Sequence, residues 1–166
     1  MNVTATSPSQ TADAHGGYRL TKFKQMAGGR AFEGDISRDG RKVGSLRQSG
    51  NGGVTHFMFG DPAERARFMS AAAEKYPDAF EPDEDLAGRL AQVADLNRKR
   101  SWLIQLDSGE DFFDLDPCDA YVHTMSPEVP REAVLWELSR WTYDGRHARL
   151  WDRDRGVFVP IGEVDD

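Results

Sequence analysis

Asp39-Gly40 stands between two runs in which apolar and polar residues alternate, and no other pair of residues constrains the fold of this chain as much. A type I′ hairpin turn needs positive φ at both central residues, and Asp-Gly meets that demand. Before the turn, Phe32, Gly34 and Ile36 fall on one face, with Glu33 and Asp35 on the other. After it, Val43 and Leu46 mark the partner strand, and their spacing of three implies a bulge at Gly44. Gly50-Asn51-Gly52-Gly53 then offers backbone conformations that side chains forbid, and residues 54–59 read as a further strand. Residues 18–26 alternate with one slip, which predicts a first strand carrying a bulge, and Ala27-Gly28-Gly29 predicts a turn.

The spacing changes after Gly60. Asp61-Pro62-Ala63-Glu64 predicts a helix start, with Asp61 as the cap, Pro62 at the first helical position and Glu64 closing a capping box. Phe68, Met69 and Ala72 recur at helical spacing, and Tyr76-Pro77 predicts the end. Residues 82–97 predict a second helix, with Leu86, Leu90, Val93 and Ala94 on one stripe. Acids open it and bases follow it, as the helix macrodipole favours. Strands are expected at 102–106 and 120–125. Ser126-Pro127-Glu128 reads as a third helix start, with Val134, Leu135, Leu138 and Trp141 as its apolar face. Residues 148–151 and 157–160 bracket a closing hairpin turn at 152–156. Separate hairpins and helices, with no repeated βαβ unit, predict an α+β fold: an N-terminal antiparallel sheet packed by two to three helices, then a C-terminal hairpin. Residues 1–17, rich in Ser, Thr, Ala and Gly, are expected to be a disordered tail, and 18–166 a single domain.

The 166 residues are enough for one ordinary core, and a single cysteine, Cys118, excludes an internal disulfide framework. No apolar run reaches 18 residues, so no membrane span is expected. The N-terminus lacks the basic-then-apolar order of a secretion signal, and cytoplasmic residence is the expectation. Charge is polarised along the chain: residues 18–60 hold eight Lys/Arg against three Asp/Glu, and residues 61–166 hold thirteen against twenty-four.

Three groups of residues could carry chemistry. Asp107, Glu110, Asp111, Asp114, Asp116 and Asp119 form a run of acids without a base. Such a run can hold a divalent ion, or can imitate phosphates on a nucleic-acid-binding partner, or can simply be solvated. Its spacing does not match a calcium-hand loop. Arg38, Arg41, Lys42 and Arg47, beside Gly50, Asn51, Gly52, Gly53 and His56, could bind an anion or track a phosphate backbone, although the loop lacks the lysine of a P-loop. Trp136 falls off the apolar stripe of its helix and is expected at the surface, where tryptophan marks interfaces. His56, His123 and Cys118 form no compact metal-ligand pattern, and no nucleophile elbow or H-E-x-x-H occurs. No cofactor and no metal is therefore expected.

The run from Phe32-Glu33-Gly34 through Asp39-Gly40-Arg41-Lys42-Val43-Gly44 to Gly50-Asn51-Gly52-Gly53 resembles the opening of small uncharacterised proteins carried by phages and mobile elements. The resemblance covers about residues 18–100. It implies an accessory protein that binds a host or defence protein, and it brings no catalytic residues. The leading expectation is accordingly a non-enzymatic protein-binding factor, an anti-defence inhibitor acting through the acidic run and Trp136. The alternative is a nucleic-acid or nucleotide binder using the basic sheet and the glycine loop. A metal-dependent enzyme ranks third.

Overall fold

Asp39 and Gly40 both hold positive φ, at 52° and 73°, and they join β2 (Ala31–Arg38) to β3 (Arg41–Gln48). In the computed structural model, which describes residues 14–106, 122–143 and 146–161, this hairpin is the centre of a four-stranded antiparallel sheet. β1 (Tyr18–Met26) flanks β2, β4 (His56–Phe59) flanks β3, and the order is β1-β2-β3-β4. The register of β1 slips between Thr21 and Lys24, where Lys22 takes a φ of 50°, so the expected bulge is present. The second bulge lies at Val43, between the pairs Ile36–Gly44 and Ser37–Lys42, one residue before the expected site. Gly44 instead permits close approach: a Cβ there would meet the Met58 carbonyl oxygen at 2.7 Å.

Helices cover one face of this sheet. α1 (Pro62–Lys75) starts as expected, with Asp61 Oδ1 accepting from the Ala63 amide at 2.9 Å. The capping box does not form, because Glu64 turns away from the cap toward Arg38 and Tyr18. α2 (Pro82–Arg98) begins with Asp83, Glu84 and Asp85 and ends with Arg98. Tyr18, Ile36 and Leu46 of the sheet pack with Phe68 and Ala72 of α1 and with Leu86 and Leu90 of α2.

The second half of α2 belongs to another core. Val93 and Leu96 pack on Leu103, Trp151 and Phe158, which come from β5 (Trp102–Leu106), β8 (Arg146–Asp152) and β9 (Val157–Pro160). The second antiparallel sheet runs β6-β5-β8, where β6 is Val122–Met125. β7 (Thr142–Tyr143) and β9 pair with β8 at its two ends. Ile104, Ala148 and Leu150 on the opposite face meet Val134 and Leu138 of α3 (Arg131–Leu138). Burial on both faces explains why 102–104 is continuously apolar rather than alternating.

Ser126-Pro127-Glu128 does not open α3. It forms a turn closed by the Val129 amide on the Ser126 carbonyl at 3.1 Å, and the helix starts at Arg131 behind Pro130. Trp141 lies beyond the end of α3 instead of on it, yet still packs on that core. Of the span expected to be a tail, residues 14–17 are described: they form a turn in which His15 is buried against the β8–β9 hairpin, Nε2 lying 3.0 Å from the Gly156 carbonyl.

Candidate functional site

The face of the first sheet away from the helices carries Lys22, Lys24, Lys42 and Arg47. Antiparallel pairing lines up Lys24, Glu33, Arg47 and His56 in one row across all four strands. The signs alternate from Lys24 through Glu33 to Arg47, and Lys24 lies 3.4 Å from Glu33. In the neighbouring row Asp35 receives both Lys42, at 2.7 Å, and Lys22, at 3.2 Å. Hydrogen bonding from Lys42 and then Lys22 holds the Asp35 carboxyl below the usual carboxylate range, against the opposing effect of burial. This face is therefore a mixed-sign lattice rather than a uniform positive stripe.

Arg38 is not on that face. Its guanidinium grips Glu64 of α1 and also reaches Asp39 at 3.0 Å. Arg41 and Arg47 are exposed, as is His56 on β4. The structure thus brings Lys42, Arg47 and His56 to one sheet face and removes Arg38 to the interior edge.

The glycine loop closes on itself. Asn51 Oδ1 accepts from the Gly53 amide at 3.2 Å, and Gln48 Oε1 accepts from the Gly50 amide at 3.1 Å. Gln48 Nε2 donates to the Gly53 carbonyl at 2.9 Å. Positive φ at Gly50 and Gly52, 73° and 82°, makes these closures attainable. The loop is anchored to α2 as well, since Thr55 donates its amide and its hydroxyl to the Glu84 carboxylate, both at 2.5 Å. Two amides that an anion would need are spent within the loop.

On the second sheet, Trp136 of α3 is 62% exposed, although a neighbour on the same helix, Val134, is fully buried. The Arg140 guanidinium lies 4.5 Å from its ring centroid, one helical turn on. Sequence spacing predicted the exposure of Trp136, and the Arg at the fourth position after it was the available signal for the stacking. His123 is exposed on β6, its ring edge-on to Trp141.

Asp107, Glu110, Asp111, Asp114, Asp116, Cys118 and Asp119 lie outside the described residues. Among the described residues no three His, Cys, Asp or Glu side chains gather as a metal site. No described helix is long and apolar enough to cross a membrane. No family model, no curated protein and no solved structure matches the chain.

Proposed function

We propose that this protein is a non-enzymatic binding factor that docks a partner protein through the α3 surface around Trp136. The observation that carries the reading is the exposed indole of Trp136, stacked under Arg140. Tryptophan and arginine are the side chains most enriched among residues that dominate binding energy, and stacking fixes the ring before a partner arrives. The resemblance of residues 18–100 to mobile-element proteins supports a host or defence protein as the partner. The acidic residues of 107–119 are assigned to the same interaction on their charge.

The nucleic-acid reading has weaker support. It needs an unopposed row of cations, and Asp35 and Glu33 sit among Lys22, Lys24 and Lys42. Affinity capture from host lysate, with and without nuclease, separates the two. A protein retained in stoichiometric amount after nuclease is the expected result. Nucleic acid as the sole retained species, lost on nuclease treatment, contradicts it.

A further inference from the structure

The two edges of the first sheet are not equivalent. The β1 edge is guarded by the bulge at Lys22, by the charges of Lys22 and Lys24, and by the contact of Arg19 with the Asp154 carbonyl. The β4 edge has none of these devices. His56-Phe57-Met58-Phe59 carries no formal charge with His56 neutral, no proline and no bulge, and among the described residues it pairs with β3 alone. Met58 within it is 61% exposed, and Val54 just before it 59%.

The phase of that edge follows from Thr55. Backbone groups of a strand point alternately to its two sides. The Thr55 amide turns to Glu84 of α2 instead of to β3, so Glu84 stands where the carbonyl of an added strand would stand. Within β4 the Met58 carbonyl faces Gly44 of β3, and alternation from it turns the amides and carbonyls of Phe57 and Phe59 outward. A groove of about 330 Å³ lies beside the Phe57 end of this edge, lined by Met69 of α1 and by Glu81, Asp83 and Glu84. Its lining sets Glu81, Asp83 and Glu84 against Arg65 and His56, an excess of negative charge with His56 neutral, so the groove favours a cation.

We propose that the β4 edge takes up an extended segment of a partner protein as a fifth strand, with a Lys or Arg of that segment set against Glu81 and Asp83. Main-chain hydrogen bonds to Phe57 and Phe59 hold the segment, and its inward side chains alternate onto Met69. This surface is separate from Trp136 and stands whether or not that residue meets a partner.

The test is selection of displayed random peptides of about eight residues on the full chain, followed by synthesis of the enriched sequences. The expected peptides alternate apolar and polar residues, keep one Lys or Arg at a fixed place, and slow amide exchange at Phe57 and Phe59 about tenfold. The variant Glu81→Lys/Asp83→Lys lowers their affinity about tenfold and, because both positions open α2, lowers the melting temperature modestly without unfolding the chain. Enrichment of no peptide, enrichment without a basic residue, affinity unchanged by the charge reversal, or unprotected Phe57 and Phe59 amides would each overturn the proposal. A chain that dimerises alone with those amides protected would overturn it too, because a second copy would then occupy the edge.

Discussion

Arg38 grips Glu64 with two parallel hydrogen bonds, Nε to Oε1 at 2.7 Å and Nη2 to Oε2 at 2.9 Å. Tyr18 adds its hydroxyl to Oε1 at 3.0 Å, so one carboxylate joins β1, β2 and α1. Glu64 is 5% exposed, and its removal takes this partner from the Tyr18 phenol and leaves Arg38 with Asp39. Arg38 keeps 29% side-chain exposure, which places the cost at the low end for a broken buried pair. Glu64→Ala is expected to lower stability by about 2–3 kcal/mol, read from urea unfolding midpoints.

The same cluster sets a pH signature at both extremes. The hydrogen bond from Arg38 holds the Glu64 carboxyl down at about 2, against a usual 4.5. A depressed carboxyl stabilises the fold above its unfolded value, so this contribution fades as pH falls from 4.5 through 2. Burial, and then Glu64, push the Tyr18 phenol up to about 12 from 10.0. A raised phenol stabilises the fold below its unfolded value, so that contribution fades as pH climbs from 10 through 12. Unfolding midpoints against pH should show both limbs in the wild type. Glu64→Gln should flatten the acid limb and Tyr18→Phe the alkaline one.

Gly44 is required by contact, not by φ. An added Cβ would lie 2.7 Å from the Met58 carbonyl oxygen and 2.8 Å from Phe59 Cδ1. Gly44→Ala should therefore push β4 off β3 and cost about 1–3 kcal/mol. Thermal melting reads the loss, and faster amide exchange at Met58 locates it.

Arg153 fastens the β8–β9 hairpin to the end of α2. Its guanidinium donates to the carbonyls of Asn97 and Ser101 at 3.0 Å, and also to those of Leu96 and Lys99. These are carbonyls at and just beyond the helix end, a favourable place for a cation. Arg153→Ala is expected to cost about 2 kcal/mol, and Arg153→Lys to recover less than half, because an ammonium cannot span the fork. Trp151 donates to Asn97 Oδ1 at 2.8 Å, so its fluorescence reports the loosening of this corner.

Legibility followed how local each determinant was. Asp39-Gly40, the β1 slip and the Asp61 cap are decided within a few residues, and the sequence pattern placed all three. The capping-box rule misplaces Glu64 because it sees only the helix, while Arg38 and Tyr18 arrive from strands 26 and 46 residues away. The helix start that Ser126 signals is absent for a related reason: Pro130 disfavours the α conformation at Val129 before it, so the helix begins beyond the proline. The basic stretch read as one surface in sequence, but strand register interleaves it with Glu33 and Asp35 and the fold turns Arg38 inward. The groove beside β4 had no linear signature, since its walls come from three elements. Trp136 was legible because helical phase alone sets its exposure.

The most direct test of α3 as the docking surface is the affinity of the captured partner protein for the wild type and for Trp136→Ala, by titration calorimetry. The substitution is at the surface, so unfolding should shift by no more than about 0.5 kcal/mol. Affinity should fall at least about thirtyfold, as for an interface residue that dominates binding. A change under about threefold, with the fold intact, would contradict the assignment of α3 as the docking surface.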